Sequence, residues 1–93
     1  MAHIMSDELH VAGVLVHVKA HALPCVSAVI AAMPGIEVHA TSPEGKIVVT
    51  VESVDSAVIL DRLDAMNRIQ DVISAALVYQ HNEPLDRIDE EMS

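Results

Sequence analysis

Four stretches of the chain alternate between hydrophobic and polar or small positions, and two others repeat hydrophobic residues every three or four positions. Residues 9–19, LHVAGVLVHVK, predict a strand with Ala12, Val14, Val16 and Val18 on one face and Val11, Gly13, Leu15, His17 and Lys19 on the other. Val26, Val29, Ile30 and Met33 then fall at helical spacing behind Pro24, which suits a first turn, and Pro34 and Gly35 stop the segment. That predicts a helix over 24–33. Residues 36–41 alternate again, with Ile36, Val38 and Ala40 inward and Glu37, His39 and Thr41 outward. Ser42, Pro43, Glu44 and Gly45 are turn residues in turn order. The returning strand, 46–52, points Ile47, Val49 and Val51 inward and Lys46, Val48, Thr50 and Glu52 outward. Asp55 is the expected N-cap of a second helix that carries Ile59, Leu60, Leu63 and Met66 and ends near 68. The last strand is expected over 72–81, with Ile73, Ala75, Leu77 and Tyr79 toward the core and Ser74, Ala76, Val78 and Gln80 opposite.

The order is βαββαβ, an α+β arrangement of the ferredoxin-like, split βαβ kind. It predicts a four-stranded antiparallel sheet in the order 4-1-3-2 with two helices on one face. The other face has no element to cover it. Its centre is expected to carry Val11, Gly13, Leu15 and His17, flanked by Val48 and Thr50 on one side and Ala76 and Val78 on the other. Glu37, His39, Glu52 and Gln80 lie further out, while Gly13 and Ala76 keep the middle flat. A few apolar residues ringed by carboxylates suit an amphipathic peptide helix with basic residues at one end. Two plainer readings stand beside this one. Antiparallel sheets commonly leave one face wet, and domains of this shape also self-associate through it.

Composition narrows the choice. Of 93 residues, 52% are hydrophobic, yet there is no Trp or Phe and one Tyr, so the core is aliphatic. A net charge of −9 argues against nucleic acid and anionic membranes, both of which need a basic surface. A basic peptide would be attracted. One cysteine, Cys25, allows no internal disulfide, no apolar run approaches the ~18 residues of a membrane span, and no secretory signal opens the chain, so a cytoplasmic location is expected. The first five residues, MAHIM, lack periodicity and are read as a tag remnant, the folded domain as 6–83, and 84–93 as an acidic, disordered tail.

No reactive constellation is visible. Cys25 sits beside Val26 in the first helix, where a packed thiol is expected rather than a nucleophile. There is no Gly-rich phosphate loop and no CxxC pair. His10, His17, His21, His39 and His81 make no i, i+4 helical pair. His17 and His39 are expected one strand apart, about 9–10 Å, too far to share an ion whose ligands lie ~2 Å away. Asp61 and Asp64 interleave with Arg62 and Arg68 as a solvated helix face. The residues therefore point to no enzyme activity, no metal and no cofactor.

The segments VAGVLVHVK, MPGIEVHAT, GKIVVTVES and ISAALVYQHNE, in this order and spacing, together resemble the NapD family, cytoplasmic chaperones of periplasmic nitrate reductase. The resemblance runs from about His10 to Glu83, and its most particular pieces are PGIEV (34–38) and LVYQ (77–80). It implies a ferredoxin-like domain without cofactor or catalysis. The implied partner is the twin-arginine signal peptide of the nitrate reductase catalytic subunit precursor, held back from export until its molybdenum cofactor is loaded. On this reading the peptide's apolar stretch would lie over Val11, Leu15, Val48 and Val78, and its arginines would approach Glu37, Glu52 or another rim carboxylate. The rival from another class is a small-molecule-sensing or oligomerising ferredoxin-like regulatory domain.

Overall fold

The computed structural model describes residues 8–84; the expectations for 1–5 and for the tail beyond Pro84 lie outside them. Strand β1 (Glu8–Val18) passes through a 3-10 turn (Ala20–Ala22) into α1 (Leu23–Ala31), followed by β2 (Ile36–Ser42), β3 (Lys46–Ser53), α2 (Ser56–Asn67) and β4 (Val72–Pro84). The strands form one antiparallel sheet in the order β2-β3-β1-β4, which is the predicted topology.

Local chemistry sets the element ends. The Asp55 carboxylate accepts the Ala57 N–H at 3.0 Å and starts α2. Pro24 occupies the first turn of α1. That helix ends two residues before Met33, because Pro34 disfavours helical backbone at the residue preceding it. In the turn between β2 and β3, Gly45 has φ +105, and an added Cβ would lie 2.2 Å from the Val18 carbonyl oxygen. Only glycine fits that position.

The core lies between the helices and one face of the sheet. Val14, Val16, Ile47, Val49 and Val51 from the central strands meet Ile30, Ile59 and Met66 from the helices, all at 1% exposure or less. Each such side chain contributes about 1.5–3 kcal/mol of transfer free energy on burial, enough to hold two short helices in place without a single aromatic residue.

The sheet departs from strict alternation at both edge pairings. On β4, Gly13 pairs with Tyr79 but Val14 pairs with Leu77, so Val78 is an extra residue without a partner on β1. A second shift leaves Ile73 unpaired, between Ser74 opposite His17 and Val72 opposite Val18. On β2, Val38 faces Val49 but Ala40 faces Val48, so His39 is the extra residue there. Each inserted residue reverses the facing of those beyond it. Several expectations are corrected for this reason. Tyr79 turns to the open face with Gly13, and Gln80 turns to the helix side with Ala12. Ala40 and Thr41 likewise exchange faces. Ile73, expected as core, is the extra residue of the second shift and is 64% exposed, whereas Leu77 keeps its expected helix-side facing opposite Val14 but stands on the edge strand and is 40% exposed. The last strand also continues through Asn82, Glu83 and Pro84, which pair with His10, Leu9 and Glu8, so the expected end at residue 81 falls three residues short.

Asn67 closes the join between α2 and β4. Its Nδ2 donates to the carbonyls of Leu63 and Ala75, each at 3.1 Å, and its Oδ1 accepts the Ala75 N–H at 2.9 Å. The carboxamide thereby fills the outward-facing backbone groups of Ala75 on an edge strand, as a neighbouring strand would.

Three expectations follow from this packing. Val16→Asp would put a charge into the core without a partner, costing several kcal/mol out of a total near 5–15 kcal/mol, and should abolish the cooperative circular-dichroism melt. Leu77→Asp, on the half-open edge, should still fold with a loss of about 1–2 kcal/mol. Asn67→Ala should lower stability by about 1–2 kcal/mol in urea titration, because it leaves both Ala75 backbone groups without their partner.

Candidate functional site

Cross-strand pairing lays out the uncovered face as rows running from edge to edge. One row is Ser42, Lys46, His17 and Ser74; the next is Ala40, Val48, Leu15 and Ala76. Then come Glu37, Thr50, Gly13 and Tyr79, followed by Glu52, Val11 and His81, and finally Leu9 and Glu83 where β1 and β4 outrun the other strands. Leu15, Val48 and Ala76 form an apolar centre in one row, and Val48 is 44% exposed.

Most residues expected on this face stand on it: Val11, Gly13, Leu15, His17, Val48, Thr50 and Ala76, with Glu37 and Glu52 toward one end. Accessibility divides them. Gly13 is buried and Val11 keeps only 8% of its surface. Val78, expected beside Ala76, is the extra residue of the bulge and takes no place in the rows. Its expected position is occupied by Tyr79.

The Tyr79 ring lies across Gly13. A Cβ built on Gly13 would meet Tyr79 Cε1 at 2.0 Å and Cδ1 at 2.5 Å, so the ring occupies the space that a side chain would need. His81 stacks beside it, with centroids 5.8 Å apart and planes 9° from parallel. His81 Nε2 in turn lies 2.9 Å from Glu83 Oε2. On the opposite side of the face His39 Nε2 is 2.8 Å from Thr50 Oγ1, so this histidine is tied to the sheet. Tyr79 is the functional candidate that reading the sequence missed. The available signal was the chain's single aromatic residue on the last strand and a glycine within the first, a combination in which the ring can shelter the bare backbone.

Charge is graded along the strands. Glu37, Glu52 and Glu83 occupy the rows on the Tyr79 side, while Lys46, which lies 4.0 Å from Glu44, marks the other end. The other described cations belong to loops and helices: Lys19 near Asp71, Arg62 on Asp61 and the Pro34 carbonyl, and Arg68 on Asp64. The face thus offers an apolar middle and an anionic end. That suits noncovalent capture of a segment with one basic end and an apolar stretch.

Cys25 does not pack inward as expected. The buried stripe of α1 is Val26 and Ile30, and position 25 falls one residue outside it, so the thiol is exposed at a cleft with Val26, Val29 and Ile69 on the helix side. Among the described residues no three His, Cys, Asp or Glu side chains gather in an arrangement that could hold a metal ion, and no helix is long and apolar enough to cross a membrane.

Gly13→Ala tests the seating of the ring. The added methyl must displace Tyr79, with an expected cost of about 1–3 kcal/mol and a changed tyrosine fluorescence. With one Tyr and no Trp in the chain, that emission reports on Tyr79 alone. An unaltered spectrum and melt would mean that the ring does not rest on Gly13.

Comparison with known proteins gives a consistent result. The family model described as NapD protein matches residues 9–84. Proteins named Chaperone NapD from Escherichia coli K12 and from Shigella flexneri are each 28% identical over 80 residues, covering 85% of this chain and 92% of theirs. The solution structure of the E. coli Tat proofreading chaperone protein NapD superposes with a TM-score of 0.73 at 28% identity, covering 76% of each chain.

Proposed function

This chain belongs to the NapD family, and we propose that it is a cytoplasmic, noncatalytic chaperone for the twin-arginine signal peptide of the periplasmic nitrate reductase catalytic subunit precursor. It binds that peptide on the open sheet face and holds the precursor back from export until cofactor loading and folding are complete. The observation that carries this reading is the uncovered apolar row Leu15, Val48 and Ala76, bordered on one side by carboxylates. A peptide helix is about 10 Å wide, matching the span of three strands at ~4.8 Å spacing. The face is favoured over the β4 edge, because two register shifts and the Asn67 carboxamide interrupt the outward backbone groups that an added strand would need. The name of the E. coli relative, a Tat proofreading chaperone, supports the same partner class.

Calorimetric titration with the signal peptide and with a scrambled peptide of equal charge tests this. Micromolar or tighter binding is expected for the genuine sequence only, and equal affinity for both would reduce the interaction to nonspecific attraction by an acidic protein. Leu15→Asp and Val48→Asp should fold, since both side chains already meet solvent, yet bind at least tenfold more weakly, about 1.4 kcal/mol. Added salt should slow association more than it speeds dissociation. Normal binding by both folded variants would move the site off this face.

A further inference from the structure

The open face has a direction. Its aromatic pair and its three carboxylates lie in adjoining rows at one end, and its lysine lies at the other. The Tyr79 ring is held from below by Gly13 and from the side by His81, and it remains 48% exposed. Glu37 shares its row, Glu52 and His81 share the next, and Glu83 is bonded to His81. A supported ring face with Glu83 near it on the same strand, and with Glu52 and Glu37 further across the sheet at the same end, attracts a planar cation: the ring quadrupole draws positive charge, and a guanidinium stacks flat on it with its N–H groups turned toward the carboxylate end.

We propose that the exposed face of Tyr79, extended by His81, seats an arginine guanidinium of the bound peptide, so that the peptide's basic end lies at the Glu52 and Glu83 end of the sheet and its apolar stretch runs toward Lys46 and His17. This rests on the reading of the open face as the peptide site. It makes Tyr79 a specificity residue and fixes the direction of docking, with the apolar stretch crossing Leu15, Val48 and Ala76 after the basic end. A helix laid this way also ends near Lys46, where a cation meets the negative end of the helix dipole.

The test is a double-mutant cycle by calorimetry on the full chain, with the signal peptide and a variant whose two arginines are glutamine. Tyr79→Leu should weaken the unaltered peptide about tenfold, Tyr79→Phe less than about threefold, and Tyr79→Leu should change the glutamine peptide by less than about threefold. Equal losses for the two peptides would make the ring an apolar contact and overturn the arginine seat; no loss for either would mean that the ring is not touched. Amide spectra of each variant establish that it is folded. For direction, a nitroxide on the basic end of the peptide should broaden the amides of Val11, His81 and Glu83; broadening at Ser42, Lys46 and Ser74 would reverse the orientation and sink the proposal. Failure of the unaltered protein to bind the signal peptide at all would remove the functional reading and the seat together, whereas normal binding with an unaffected Tyr79→Leu removes the seat alone.

Discussion

Burial of one face of the two central strands beneath two short helices is the interaction on which everything else in this molecule depends. Val14 and Val16 on β1 and Ile47, Val49 and Val51 on β3 close against Ile30, Ile59 and Met66 in one cluster of buried side chains. A domain this small buries only about three-fifths of its unfolded surface. Both helices are therefore committed to one side, and the other side of the sheet is left to solvent or to a partner.

The edges of that sheet are managed by local irregularity. Val78, Ile73 and His39 each interrupt a register, and Asn67 fills the backbone groups of Ala75. Breaks of this kind make an edge a poor template for another strand. One of them also has a consequence on the open face, because the bulge at Val78 delivers Tyr79 onto Gly13 in place of an aliphatic side chain. A single inserted residue thus blunts an edge and installs the ring.

The face presents an apolar row, hydroxyl and imidazole groups tied to their neighbours, and carboxylates grouped at one end. For the peptide we propose, the apolar row would supply contact area, and charge placed off-centre would supply orientation. A protein that holds a signal segment reversibly needs both, and membership of the NapD family agrees with such a role.

The fold was legible in the sequence because its signals are local and repeat. Alternation in β1 and β3, Pro24 at a helix start, Asp55 as a cap and Gly45 in the turn each act within a few residues, and each holds in the structure. The central part of the candidate face was legible for the same reason: Leu15, Val48 and Thr50 lie on strands whose pairing to one another is unbroken. What alternation could not reach was the phase of the edge strands. Nothing in LVYQ or in VHAT states that one residue is to be left unpaired, because that choice is made by how each strand pairs with its neighbour and packs under the helices. Tertiary structure alone therefore decided that Val78 leaves the row, that Gly13 is sheltered and that Tyr79 faces outward, since a one-residue slip in a period of two reverses every side chain beyond it.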